Sequence, residues 1–249
     1  MVLGIWFLVL MNITPFDGAL LVDKPAGCTS HDVVDRLRRH FGFKKVGHCG
    51  TLDPAATGLL IIVLERATKL QDRLMADDKT YEGTLRLGVT TDSHDADGTV
   101  LAEKPVPAFT PDQLEAVFAR FRGDIHQVPP MVSAVKHEGT PLYKLARKGK
   151  TVEREPRLIH IYDLRALDIK LPDIRIRVTC TKGTYVRTLC HDIGEALGCG
   201  AHLHDLRRTR SGSFDVKDAH RLDKLLLLNR QELQPLIIPI LQLARLPAR

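Results

Sequence analysis

The chain alternates between unbroken apolar runs and segments of strict polar–apolar alternation. "GALLVDKPAG" (18–27) is apolar up to a Pro/Gly turn, which predicts a buried strand. "GLLIIVLERA" (58–67) is continuously apolar and predicts a buried central strand. "KTYEGTLRLGV" (79–89) alternates, with Tyr81, Gly83, Leu85, Leu87 and Val89 on one face, and "IRIRVTC" (174–180) alternates again. Between them lie helical patterns. "TSHDVVDRLRRHFG" puts Val33, Val34, Leu37 and Phe41 on one face, with Ser30 placed to cap it. "TPDQLEAVFARFRG" (110–123) opens with Thr110, Pro111 and Gln113, a capping-box signature with proline at the first helical position. "YVRTLCHDIGEALGCG" reads as a helix closed by glycines. The elements interleave without a regular βαβ repeat, so the expected class is α+β, a single domain on a large mixed, mainly antiparallel sheet flanked by helices.

The first residues, "MVLGIWFLVLMN", are too short to span a membrane and lack a basic n-region and a cleavage site. Residues 1–10 are expected to be an extension outside the fold, with Met11 as a second start.

Composition sharpens the class. Among 249 residues 44% are hydrophobic, enough for a packed core. The net charge of +6 is compatible with a nucleic-acid partner and equally with a merely soluble basic protein. The five cysteines, Cys28, Cys49, Cys180, Cys190 and Cys199, are odd in number and form no CxxC. That argues against a disulfide framework or a structural zinc and fits a reducing cytosol.

Candidate chemistry concentrates in "GHCGTLDPAATG" (47–58). Asp53 there is either the N-cap of a helix begun by Pro54 or a nucleophile or general base in a loop whose glycines admit a bulky ligand. "TTDSHDADGTV" (90–100) fails the calcium-loop pattern and reads as a solvated hairpin turn at Asp97-Gly98. "YKLARKGKTVEREPR" (143–157) and "LRRTRSG" (206–212) are basic, either solvated faces or phosphate contacts. Tyr185 and Arg187, two residues apart, suit base stacking and pairing with a carboxylate, or are an ordinary packed tyrosine and a surface arginine.

Taken in order, "LLVDKPAGCTSHDVV", "VGHCGTLDPAATGLLIIVLERATKL", "KTYEGTLRLGVTTDSHDADG", "GDIHQVPPMVSAVKHEGTPLYKLARKGK" and "CTKGTYVRTLCHDIGEALGCGAHLHDLRRTRSGSF" resemble the TruB-type tRNA pseudouridine synthases from about Gly18 to about Pro239. The resemblance implies an enzyme that isomerises uridine 55 in the T loop of tRNA without a cofactor or metal, acting as a cytoplasmic monomer with no membrane association. It places the nucleophile on Asp53, the histidine of base extrusion on His48 and the tyrosine that stacks on the target base on Tyr81. A second pocket tyrosine falls on Tyr185, a pocket leucine on Leu206, and the aspartate's arginine partner on Arg187. Glycines 47 and 50 would leave room for the flipped nucleotide. Whether the aspartate attacks C6 of the base or C1′ of the sugar stays open. Val132 departs from the aromatic that many relatives carry there, and residues 240–249 would stand as a stub where bacterial relatives often carry a further RNA-binding domain. An RNA-binding or tRNA-folding module with little catalysis and a metal-dependent hydrolase using His48 and Asp53 are the two readings from other classes.

Overall fold

The computed structural model describes residues 13–247 apart from 134, 138, 143–144, 146–148 and 151. Residues 1–10, and Lys144, Arg147 and Lys148 of the first basic segment, therefore lie outside the described residues. In chain order the main elements are β1 (Gly18–Lys24), α1 (Ser30–Phe41), β2 (Val46–His48), β3 (Thr57–Leu64), β4 (Lys79–Leu87), β5 (Val89–Thr91), β6 (Val100–Glu103), α2 (Pro111–Ala119) and β7 (Gly123–Gln127). There follow β8 (Arg157–Lys170), β9 (Asp173–Cys180), α3 (Val186–Ala196), β10 (Ala201–Ser211) and β11 (Phe214–Asp215), then short helices and strands to residue 244. None of the described helices is long and apolar enough to cross a membrane.

The described residues form two compact units, those up to Asp77 with those from Arg208 onward, and residues 78–207. In the first, β1 pairs antiparallel with β3 along its whole length and parallel with residues 220–221, and β2 adds to β3. Both central strands are covered on both faces. Leu20, Val22, Leu60, Ile62 and Leu64 pack with Val33, Val34, Leu37 and Phe41 of α1, while Ala19, Leu21, Leu59, Ile61 and Val63 pack with Leu74, Phe214 and Leu243. This explains the unbroken apolar runs, since a strand buried on both faces has no polar side to show. Each of Leu59 to Leu64 is fully buried, worth roughly 1.5–3 kcal/mol per large side chain.

In the second unit β4, β9, β8 and β7 are neighbours in an antiparallel series. Leu85, Leu87, Ile174, Ile176, Val178, Leu189 and Ile193 make one core with α2 residues Leu114 and Phe118. Here one sheet face is wet, and the alternation legible in 79–89 and 174–180 is its consequence. The expected class, α+β on a mainly antiparallel sheet with flanking helices, is the one observed.

Two local expectations change, and one strand carries no regular pattern in the sequence. The cap of α1 is Thr29, not Ser30. Thr29 Oγ1 accepts from Asp32 N at 3.0 Å, and Thr29 N donates back to the Asp32 carboxylate. The hydroxyl of Ser30 points instead at Leu52. Strand 58–67 ends at Leu64, and residues 65–70 form a 3-10 turn. Strand β8 is 14 residues long, yet its pairing with β9 shifts register twice, between Ile161 and Asp163 and between Ala166 and Asp168. Each bulge offsets the period of two, which hides the strand from its own pattern.

Candidate active site

The motif 47–58 leaves β2 and returns as β3. Asp53 starts no helix. Its carbonyl accepts from Ala56 N at 3.1 Å in a tight turn, so the helix-cap reading fails. Side chains of other elements fasten this loop through its backbone. Cys49 N donates to Ile61 O at 2.9 Å. Ser30 Oγ accepts from Leu52 N at 2.9 Å and donates to Leu52 O at 3.2 Å. The Lys24 ammonium, fully buried, donates to the carbonyls of Pro25 (2.9 Å), Pro54 (3.2 Å) and Ala56 (2.7 Å). The Arg208 guanidinium, 1% exposed, donates to Leu59 O at 2.7 Å and Gly50 O at 3.0 Å. All of an ammonium's three donors and two of the guanidinium's five are thus accounted for, which is what lets such charges be buried at all.

Two of the glycines, Gly58 and Gly47, make room for the protein itself. A side chain on Gly58, at φ +100°, would stand 2.3 Å from Arg208 O, so glycine there lets β10 approach. A side chain on Gly47 would stand 2.2 Å from the Gln71 carboxamide oxygen, so the space beside Gly47 is filled by the protein itself. Gly50, at φ +101°, is required by its backbone conformation.

Electrostatics follow from the two buried cations. Burial pushes the Lys24 ammonium below its ordinary range, with Cys28 and the Asp53 carboxylate opposing and Arg208 assisting. Burial, then the Arg208 charge, then His31, push His48 below the usual imidazole value, against a backbone bond at Gly50. His48 is therefore a neutral ring at pH 7. Asp53 itself is half-buried.

Tyr81, Tyr185, Arg187 and Leu206 belong to the second unit. Tyr81, on β4 opposite Val178, and Leu206, on β10, both pack partly buried on the same core. Tyr185 immediately precedes α3, and its peptide groups are held by Gln127, whose Nε2 donates to Tyr185 O at 3.0 Å and whose Oε1 accepts from Tyr185 N at 2.8 Å. Arg187 is not a surface residue. It is 4% exposed, donates to Asp95 Oδ2 at 3.0 Å and to Val132 O, and lies 5.8 Å over the Tyr185 ring.

Asp95 overturns the reading of 90–100 as a merely solvated turn. The β5–β6 hairpin exists, but its loop folds inward. Ser93 Oγ donates to Asp95 Oδ1 at 2.5 Å, Asp97 N donates to the same oxygen at 3.2 Å, and Leu203 N donates to His94 O at 3.0 Å. His94 takes φ +65° and stacks flat on His191 of α3 at 4.0 Å. Burial first, then the neighbouring His191, Arg187 and Arg154, push His94 down to about 4.

Sequence reasoning missed Lys24, Arg208, Gln127 and Asp95. None of the four carries a distinguishing local signal, and Lys24 simply follows Asp23 at the end of an apolar run. Of the basic segment 206–212, Arg208 is withdrawn from any phosphate by its burial, whereas Arg210 is exposed. Among the described residues no three of His, Cys, Asp or Glu are grouped to hold a metal ion. None of the five cysteines forms a disulfide, and all are buried.

Comparison with known proteins agrees in its direction. The family model described as TruB family pseudouridylate synthase (N terminal domain) matches residues 38–186, and that described as tRNA pseudouridylate synthase B C-terminal domain matches 187–243. The chain is 53% identical over 228 residues to a tRNA pseudouridine synthase B of Opitutus terrae, covering 92% of this chain and 95% of the relative. It is 48% identical over 229 residues to one of Syntrophotalea carbinolica, covering 92% of this chain and 75% of that relative. Among solved structures, a chain of a Cbf5-Nop10-Gar1 complex superposes with TM-score 0.73 at 31% identity, over 92% of this chain and 61% of that one.

Proposed function

The chain belongs to the TruB family of pseudouridylate synthases, and from that membership we propose that it isomerises uridine 55 in the T loop of tRNA, with Asp53 as nucleophile. The observation that carries the reading is the loop around Asp53. An acid stands at a tight turn whose backbone is fastened by Lys24, Arg208 and Ser30, residues of three other elements. A nucleophile must be held in place while its substrate moves, and fastening by backbone does that.

The reaction breaks the bond between C1′ and N1, turns the base, and joins C1′ to C5. N1 gains a proton and C5 loses one, so the change is redox-neutral. Asp53 forms and then releases a covalent bond to the substrate, which divides one hard step into two. The target uridine must leave its stack before it can react. His48, as a neutral ring, takes part in that extrusion. Tyr81 stacks on the extruded base, Tyr185 and Leu206 wall it, and Arg187 supplies the positive charge that keeps the nucleophile ionised. These roles rest on the family motifs. What supports them is that Tyr81 and Leu206 border one core and that Tyr185 and Arg187 are held rigidly at the start of α3.

The T arm is proposed as the bound part of the substrate, with Arg207, Arg210, Lys150 and Arg157 as phosphate contacts. The test measures kcat/KM for an isolated T stem-loop and for a full tRNA transcript across a salt series. The two are expected within about tenfold, with similar log–log salt slopes. A hundredfold preference for the whole transcript would defeat the T-arm reading.

A further inference from the structure

Arg208 is a paradox as it stands. It is among the largest fully buried side chains, yet it carries a permanent charge, and among the described residues no carboxylate forms an ion pair with it. It donates to two carbonyls, and those carbonyls bracket the loop of Asp53. Gly50 O lies three residues before Asp53 and Leu59 O six after it. One planar guanidinium thus spans both ends of the loop through donors whose mutual geometry is rigid. The backbone on either side is shaped to permit it. Gly50 and Gly58 both take positive φ, and at Gly58 the approach of Arg208 leaves no space for a side chain.

We propose that Arg208 is a positioning residue for the reaction, fixing where the Asp53 carboxylate stands by clamping the two ends of its loop. The proposal rests on the functional reading given above. Lys24 cannot replace this clamp, because its three bonds go to Pro25, Pro54 and Ala56 and none goes to Gly50 or Leu59. A second consequence accompanies the first. The Arg208 charge, with burial and with His31 of α1, holds His48 below its usual imidazole value, so the same residue keeps that ring neutral.

The test compares wild type with Arg208→Lys and Arg208→Met in the full chain. Lysine keeps the charge but cannot span both carbonyls. Methionine keeps the approximate length and removes the charge. Single-turnover rate and Kd are measured on an unmodified tRNA transcript, with Tm, the His48 ring titration by NMR, and amide exchange at Cys49 and Ala56. Arg208→Lys is expected to fold, to bind within about threefold of wild type, and to react at least about thirtyfold more slowly, with faster exchange at both amides. Arg208→Met is expected to be slower still, with His48 titrating at higher pH. The proposal is overturned if a folded variant reacts within threefold of wild type, or if the loss falls in Kd with the rate unchanged. If methionine does not fold, lysine alone decides. An inactive wild type would sink the functional reading instead, and unchanged exchange at Cys49 and Ala56 in Arg208→Lys would then sink the clamp.

Discussion

The loop that carries Asp53 and the loop that carries Asp95 are both held in place, but their charged side chains play different parts in it. The first is fastened through its carbonyls and amides by Lys24, Arg208 and Ser30, all reaching in from elsewhere. The second is tied by backbone bonds to Leu203 and, in addition, through its own side chains, Asp95 to Arg187 and His94 to His191. Backbone fastening frees the sequence of the loop for chemistry. Side-chain fastening makes the charged residues part of the scaffold, so chemistry and stability there cannot be separated.

The sharpest way to break this contrast is substitution at the two charged centres. Asp53→Asn is expected to lose at least about a hundredfold in single-turnover rate, ~2.7 kcal/mol of barrier, while Tm stays within about 2 °C. A large fall in Tm would show that the carboxylate helps to hold its loop after all. Arg187→Met should lose both. It removes a 5% exposed guanidinium from an Asp95 carboxylate that is 19% exposed, and a partner left buried and unpaired costs about 3 kcal/mol, roughly 6–12 °C in Tm. A variant that loses rate at unchanged Tm would move Arg187 out of the scaffold.

Smaller effects sharpen the same comparison through pH. His94 has a folded pKa of about 4, below its ordinary 6.5. Below pH 6.5 the unfolded chain takes up a proton that the folded chain refuses. Stability is therefore complete above that value and declines as pH falls towards 4. For a partly exposed ring the loss is roughly 1–2 kcal/mol after solvent screening. His94→Asn keeps a residue that tolerates positive φ and removes the titration, so its Tm should depend less on pH between 7 and 4.5. An identical dependence in the two proteins would place the acid sensitivity elsewhere, and His48, also lowered, is the next ring to replace.

How much of this was legible in the sequence follows the same division. Strands β1, β3, β4 and β9 and helices α1, α2 and α3 were readable because burial on one or both faces writes itself as a run or a period. The capping box Thr110–Gln113 was read correctly, because caps are local chemistry. At the other helix Ser30 and Thr29 are adjacent and both carry a hydroxyl, and only the hydrogen bond from Leu52 N to the Ser30 hydroxyl decides between them. Strand β8 was hidden by its two bulges. Asp53-Pro54 looks like a helix start and makes a turn, because the carbonyls that follow are taken by Lys24 and Gly27 rather than by a helical ladder. Arg208 stands in a basic run that looks solvated, and nothing local distinguishes it from Arg210. Its burial is set by two carbonyls some 150 positions earlier in the chain. Residues whose role is to hold another segment's backbone leave no periodic mark.

The central claim is that this chain converts one uridine of tRNA by way of the Asp53 loop. Incubation with an unmodified tRNA transcript, followed by carbodiimide labelling and primer extension, reads it directly. The account predicts one new strong stop reporting pseudouridine at uridine 55. Extension past that position without a stop, or stops at other uridines while uridine 55 stays unmodified, would contradict it.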